Sequence, residues 1–179
     1  MRAKPIASVS VSSSHIKEVT QALLKLKRTK VYVGIADSGK TDRRKEGPIT
    51  NSQLGYIHEH GSPAAGIPAR PFLRPGVEAG KERVIEDLRL AMDAAIQEDS
   101  ARVRHNLEAA GSHAVSEVKK YMRTADFEPL KPSTIRNRNR SRETKSKRKT
   151  EAAMDMSKIR PLQNTGQLLD SIDYYVEKG

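Results

Sequence analysis

The chain of 179 residues contains no cysteine. This absence excludes disulfides, thiolate catalysis and cysteine-ligated metal sites, and it is compatible with a reducing cytoplasm. No uninterrupted apolar run approaches the roughly 18 residues that a membrane span requires. The N-terminus likewise has no apolar stretch of the length that a secretory signal peptide needs. We therefore expect a soluble protein that is made in a cytoplasm and has no membrane partner.

Apolar and aromatic residues are also scarce. Hydrophobic residues make up 36% of the chain and aromatic residues 4%, against 31% charged residues. A single domain spanning 1–179 fits this length, but so lean a composition supports only a small core. Either part of the chain is disordered, or partner subunits cover part of its apolar surface.

Positive charge is abundant in this sequence. Lysine and arginine number 33 against 22 aspartates and glutamates, which gives a formal net charge of +11 and a pI of about 9.9. An excess of this size favours anionic partners such as nucleic acid, acidic membranes or acidic proteins. A soluble protein with one basic tail is the plainer alternative.

The charge is densest near the C-terminal third of the chain. Within 136–149 eight cations are interrupted by one acid, Glu143, and by no apolar residue, and we expect a flexible basic loop over 136–157. Such a loop can bind phosphate backbones without reading base sequence. A solvated loop without a partner remains the alternative. The cations are Arg136, Arg138, Arg140, Arg142, Lys145, Lys147, Arg148 and Lys149.

Three stretches have the pattern of β-strands. Residues 6–11 alternate small or apolar residues with polar ones, as a half-buried strand does. Residues 30–36 contain a β-branched run that is typical of a buried strand. Residues 172–176 have the pattern of a final strand, preceded by a helical turn at 167–171. We expect the three strands to form a small, mainly antiparallel sheet.

Helical periodicity marks much of the remaining sequence. A helix is predicted from about residue 15, after serines able to cap it. Apolar residues recur at helical spacing over 77–97 and again over 101–122. Only Asp99-Ser100 is turn-like between them, so one long kinked helix and two separate helices are both open. The predicted fold class is α+β, with the small sheet packed against a long α-helix.

The stretch 51–77 precedes this helical region. Its sequence, NSQLGYIHEHGSPAAGIPARPFLRPGV, breaks after a short amphipathic turn and is then punctuated by prolines at 68, 71 and 75. Proline removes a backbone donor, fixes φ and pushes the preceding residue toward extended geometry. One of the two phenylalanines of the chain, Phe72, lies here. We interpret the stretch as a rigid extended arm whose apolar residues dock on another surface.

Residues 34–41 match the phosphate-loop pattern G-x-x-x-x-G-K-T and follow a predicted strand. A phosphate loop needs a helix that opens at its lysine, so that backbone N–H groups and the helix dipole meet the phosphates. The residues after Thr41 have no apolar face and soon reach Gly47-Pro48. A glycine-rich turn is therefore the preferred interpretation, and nucleotide hydrolysis through Lys40 is a third-ranked hypothesis.

The tripeptide His58-Glu59-His60 invites a zinc-site interpretation. Histidines two residues apart point to nearly opposite faces of a helix, and no third ligand is evident nearby. No serine lies in a strained elbow such as G-x-S-x-G. We therefore predict that the protein holds no metal or cofactor and is not an enzyme.

Five stretches resemble, in their order along the chain, the tailed-bacteriophage neck and tail-completion proteins. That family has a VGI strand, an A-x-x-H-E-x-G turn, an I-P-x-R-P-F-L arm, a P-L-x-x-x-T-I segment and a P-L-x-D-T-G-x-L-x-x-S-I ending. The corresponding stretches here are VYVGI at 31–35, NSQLGYIHEHG at 51–61, IPARPFLRP at 67–75, PLKPSTI at 129–135 and PLQNTGQLLDSI at 161–172. His60 stands where the family often has Phe or Tyr, and Asn164 where Asp is usual.

The resemblance implies a structural protein of the virion neck, at the head–tail junction. Such proteins form a homo-oligomeric ring between a head-side connector protein and the tail terminator or tube protein, and the genomic DNA passes through it. A hexameric ring is preferred, and a dodecamer is possible. The stretch 51–77 would then be an intersubunit arm, with Arg70 and Arg74 available to acidic partners or DNA. Its predicted contact residues are Ile67, Pro68, Arg70, Pro71, Phe72, Leu73 and Arg74.

The alternative function is non-sequence-specific DNA binding through the eight cations of the basic loop. It rests on the net charge and on the run at 136–149, and it needs no resemblance to any family. Salt dependence separates the two, because binding through phosphates weakens steeply as salt rises.

Overall fold

The computed structural model describes residues 13–36, 48–145, 160–163 and 165–177. These residues form a mostly helical structure with one small antiparallel sheet packed against helices, which confirms the α+β prediction. The elements are α1 (Ser13–Arg28), β1 (Lys30–Ile35), α2 (Asn51–His60), a 3-10 turn (Pro63–Ala65), α3 (Leu73–Ala79), α4 (Lys81–Ile96), α5 (Ser100–Thr124), α6 (Pro132–Lys145), α7 (Gln167–Asp170) and β2 (Ile172–Glu177).

The sheet pairs β1 with β2 in antiparallel register. Side chains alternate between its two faces. On one face Ile172 is buried opposite Ile35, whereas Tyr32 and Tyr175 lie opposite each other on the exposed face. Both strands were predicted from their sequence pattern, and so was the helical turn α7 before β2. The predicted strand at 6–11 lies outside the described residues.

The core is organised around α5. Its buried residues recur at helical spacing, and the helix packs against α3, α4 and both strands. The helical region between residues 81 and 124 consists of two separate helices, α4 and α5. Glu98 has a φ of 58°, and the Asp99 side chain then accepts a hydrogen bond from the Arg102 N–H at 2.9 Å. This is an N-cap, so α5 begins as a new helix rather than as the continuation of α4.

The helical region begins earlier than the sequence pattern predicts. The segment around Pro75 was expected to be extended, but α3 already starts at Leu73. Proline is tolerated there because the first turn of a helix has no intrahelical partner for its N–H groups. Gly80 then separates α3 from α4.

The prediction of a basic loop is wrong for residues 136–145, which belong to α6. Proline at the first position and arginines in the interior are favourable to a helix, and no glycine or further proline interrupts the segment. The remaining part of the predicted loop, 146–157, lies outside the described residues. Among the helices that are described, none has the length and apolar character needed to cross a membrane.

Candidate functional site

Four of the five stretches that carry the phage resemblance meet at Gly55, a buried residue of α2. A Cβ placed on Gly55 would lie 2.7 Å from Ile35 Cδ1 and 3.8 Å from both Leu168 Cδ1 and Phe72 Cζ. These neighbours come from the β1 strand, the C-terminal segment and the proline-rich segment. The first distance is shorter than real carbon contacts, so a larger residue at position 55 would require the end of the Ile35 side chain to move.

The helix α2 has a well-defined start. The Gln53 N–H donates to Thr50 Oγ1 at 3.2 Å, and the Thr50 N–H donates to Gln53 Oε1 at 3.0 Å. This reciprocal pair is a capping box, which satisfies two N–H groups at the start of the helix. It fixes the position of α2 and therefore of Glu59 on its last turn.

Glu59 connects α2 to α3. Its Oε2 accepts hydrogen bonds from the N–H groups of Phe72 at 2.7 Å and Leu73 at 2.9 Å, and its Oε1 accepts from the Arg74 N–H at 3.1 Å. These donors lie at the N-terminus of α3, where the helix has no intrahelical acceptors for them. A carboxylate also interacts favourably with the positive end of the helix dipole. Glu59 is therefore a capping residue supplied by another helix.

Arg70 connects the same segment to the chain that follows α5. The residue is 4% exposed, and its guanidinium donates from Nε to the Glu128 carbonyl at 2.7 Å and from Nη2 to the Pro129 carbonyl at 2.9 Å. Its backbone N–H donates to the His58 carbonyl at 2.6 Å. The planar guanidinium suits two neighbouring acceptors. Arg70 thus anchors the proline-rich segment to α2 through its backbone and to residues 128–129 through its side chain.

The predicted intersubunit arm is folded onto its own subunit. Phe72 is 2% exposed and belongs to the core cluster with Val118, Met122 and Ile172. The expectation that Phe72 and Arg70 contact a neighbouring subunit is therefore wrong for this structure. Of the remaining five predicted contact residues, Ile67, Pro68 and Leu73 are half-buried, and Pro71 and Arg74 are exposed.

A second reason for the folded-back path is the turn that precedes it. Ser62 and Ile67 form an antiparallel bridge, and the Ser62 N–H donates to the Ile67 carbonyl at 2.8 Å. Gly61 at φ 77° and Gly66 at φ 61° supply the left-handed backbone of this turn. The turn returns the chain toward α2 before it reaches Arg70, and so the segment lies along the helix.

His58 and His60 join no cluster of three histidine or carboxylate side chains within the described part of the chain. Three potential ligands converge elsewhere, at His15, Glu18 and Glu98, where all of the residues are exposed. His15 Nδ1 lies 3.0 Å from Glu98 Oε1, and this contact links α1 to the corner between α4 and α5. The phosphate-loop look-alike is described only to residue 36, so its lysine at 40 lies outside the described residues.

The structure separates the predicted DNA-facing cations. Arg136 is exposed, whereas Arg138 is half-buried and donates to the Arg160 carbonyl at 3.1 Å. Positions two apart lie about 200° apart around a helix, so Arg136 and Arg138 lie on nearly opposite sides of α6. Arg140, Arg142 and Lys145 lie on the α6 backbone, and Lys147, Arg148 and Lys149 lie outside the described residues.

One polar contact in the core was missed by the sequence analysis. Asp87 on α4 is 5% exposed, and its Oδ2 lies 2.5 Å from Nδ1 of His113 on α5. A buried carboxylate needs such a partner. Asp87 falls on the same helical face as the buried alanines of α4, which is the pattern that could have indicated its burial.

The comparisons with known proteins add no relative. No family model, curated protein or solved structure matches this chain. Function is therefore inferred from the set of sequence motifs and their packing around Gly55.

Proposed function

We propose that this protein is a structural subunit of a tailed-bacteriophage neck. In this proposal, copies of the chain form a ring, preferably hexameric, between the head-side connector and the tail terminator or tube protein. The genomic DNA passes through the ring. The site of action is the head–tail junction of the virion.

The observation that carries the proposal is the convergence at Gly55. Segments from β1, α2, the proline-rich stretch and the C-terminal segment resemble neck proteins in their order along the chain. They lie up to 133 residues apart in sequence, as between Ile35 and Leu168, yet they contact one another around one glycine. This shared packing centre supports the view that the motifs belong to one structural unit.

Composition supports the same proposal. The core of the described residues is small, and large apolar side chains remain exposed on α1 and α4. Oligomerisation covers such surfaces. The net charge of +11 suits a subunit that lines or approaches a DNA channel.

The proposal is tested by removing the chain from the genome that encodes it. We expect DNA-filled heads and complete tails that are not joined, and we expect joining to return when the wild-type chain is supplied from a plasmid. Electron microscopy of the lysate counts the three classes of particle. Joined, infectious particles at normal yield without the chain would overturn the proposal.

The second candidate function is non-specific DNA binding through α6, which carries five cations and one acid between Pro132 and Lys145. Titration of the free protein against duplex DNA at rising salt tests it. Tight binding that falls steeply with salt favours this function. Binding that is absent at low salt rejects it.

A further inference from the structure

One side of α4 carries large apolar side chains that stay exposed. They are 38–45% exposed, although α4 is packed along α5 through its buried alanines. At about 100° per residue, the four side chains fall within an arc of about 80° and form one continuous stripe. We call this surface the α4 stripe. It consists of Ile85, Leu88, Met92 and Ile96.

Acidic side chains border the α4 stripe on its solvent side. Glu82, Glu86 and Asp93 are exposed and project within about 100° of Ile85 around the helix. One cation, Arg89, lies among them, 3.8 Å from Glu86. The border is therefore net negative, in a chain whose overall charge is +11.

The outer side of α1 has the complementary character. Ile16 is 54% exposed and Leu24 is 51% exposed, and with Thr20 between them they form a ridge at spacing i, i+4, i+8. The Thr20 hydroxyl donates to the Ile16 carbonyl at 2.7 Å, so its remaining surface on the ridge is a methyl group. We call this surface the α1 ridge. Its exposed flanking cations are Lys17, Lys27 and Arg28.

The α1 ridge faces away from the α4 helix of its own subunit. The half-buried residues of α1 that contact the rest of the chain include Ala22 and Leu26, which line a cavity of about 250 Å³ with Ala95 and Leu107. Leu24 lies about 160° around the helix from both Ala22 and Leu26. The ridge is thus free to contact a different molecule.

We propose that the α4 stripe of one subunit packs on the α1 ridge of a second copy of this chain. Apolar side chains meet at the centre, and the acidic border of α4 faces the cations of α1. Pairing two α4 stripes would instead bring acids against acids, which is unfavourable. Because the two surfaces differ, the contact is head to tail and repeats from subunit to subunit.

This inference rests on the proposed function and names the surface through which the ring closes. It also replaces the proline-rich arm, whose Phe72 and Arg70 are buried within their own subunit. A heterologous contact closes into a ring when its rotation divides a full turn, and it gives an open filament when it does not. The α4 and α1 surfaces are therefore suited to a repeating assembly, such as the proposed ring, rather than to an isolated dimer.

The absence of cysteine makes the contact directly testable by cross-linking. Two full-length variants, Leu24→Cys and Met92→Cys, are prepared separately, one of them with a tag that changes its mass, and are then mixed and oxidised. We expect a covalent dimer that contains one chain of each kind. Each variant alone should stay uncross-linked, and so should Leu24→Cys mixed with Ser116→Cys, which places a thiol at an exposed position of α5.

The outcomes separate this inference from the proposed function. Rings seen by electron microscopy without the mixed dimer would overturn the α4–α1 contact and leave the ring intact. A covalent dimer of Met92→Cys alone would overturn it in favour of paired α4 stripes. If no ring forms at any concentration, alone or with the head-side connector, both the inference and the proposed function fail.

Charge exchange provides a second test. Reversing the acidic border with Glu82→Lys, Glu86→Lys and Asp93→Lys should raise the concentration needed for half-assembly by about tenfold, since three exposed pairs contribute on the order of 1–2 kcal/mol together. Adding Lys17→Glu, Lys27→Glu and Arg28→Glu to the same chain should restore assembly. If the combined variant has the circular dichroism of the folded protein but does not regain assembly, the α4–α1 contact is contradicted.

Discussion

At the scale of single residues, the hydrogen bonds of Glu59 affect both the start of α3 and the position of Phe72. Its carboxylate accepts hydrogen bonds from three successive backbone N–H groups and so fixes where α3 begins. Because Phe72 is one of the donors, the same contact directs the Phe72 ring into the core. A residue that resembles a metal ligand in sequence is thus a helix cap in the structure.

We predict that Glu59→Ala lowers the free energy of unfolding by about 3 kcal/mol, because it leaves three N–H groups at the start of α3 without their acceptor. Glu59→Gln should cost less, since its carbonyl oxygen can still accept from Phe72 and Leu73. Urea denaturation followed by circular dichroism measures both. Asp126→Ala removes an exposed carboxylate and serves as the control. Equal stability of Glu59→Ala and this control would show that the cap contributes nothing.

The burial of Phe72 and Arg70 could not be predicted from sequence. The burial of Phe72 and Arg70 depends on partners at Glu59 and Glu128, the latter 58 residues from Arg70. Local pattern shows the stiffness that the prolines impose, but it does not show the surface on which the segment lies. For that reason the rigid arm was predicted and its return to its own subunit was not.

At the scale of elements, α2 is held against β1 and α7 by the close approach at Gly55. We predict that Gly55→Ala destabilises the protein by about 1 kcal/mol, because the overlap of the new methyl with the Ile35 side chain costs more than the higher helix propensity of alanine recovers. Ile35→Val removes the overlapping Cδ1 atom and should recover part of the loss. A double-mutant cycle from thermal or urea unfolding gives the coupling. Strict additivity of the two changes would contradict direct contact between α2 and β1 at this point.

The pairing of α4 with α5 has a polar contact at its centre. We predict that His113→Ala costs about 2 kcal/mol, because it leaves the Asp87 carboxylate buried without that hydrogen bond. The further change Asp87→Ala, made in the His113→Ala background, should cost less than Asp87→Ala in the wild type. Chemical denaturation of the four proteins tests the coupling. If His113→Ala is as stable as the exposed control Ser112→Ala, the contact is not stabilising.

Elements with a strong local signal were predictable from sequence. The β-branched run of β1 and the strand pattern of β2 are recorded in the residues themselves. The turn-like Asp99-Ser100 leaves one kinked helix and two helices both open in the sequence, and the N-cap at Asp99 in the structure distinguishes them. The helix at 136–145 is not evident from sequence, because a charged segment without apolar residues has the composition of a loop even though arginine has a favourable helix propensity. The apolar residues on the exposed sides of α1 and α4 have the same spacing as core residues, and only their exposure in the structure distinguishes them.

At the scale of the whole molecule, the chain combines a small core with exposed apolar surfaces and a large positive charge. A lone subunit leaves Leu24 and Met92 about half exposed, and a ring built from α4–α1 contacts covers both. The same ring would carry a net charge of +11 for each subunit, which favours an anionic partner such as DNA.

Symmetry-resolved electron cryomicroscopy of the neck of tailed particles that contain this chain tests the central claim most directly. We predict a closed ring between the head-side connector and the tail, with density that fits residues 13–36 and 48–145 and with α4 of each subunit against α1 of the next. Joined particles whose neck contains no copy of this chain, by imaging and by mass spectrometry of the same preparation, would contradict the account.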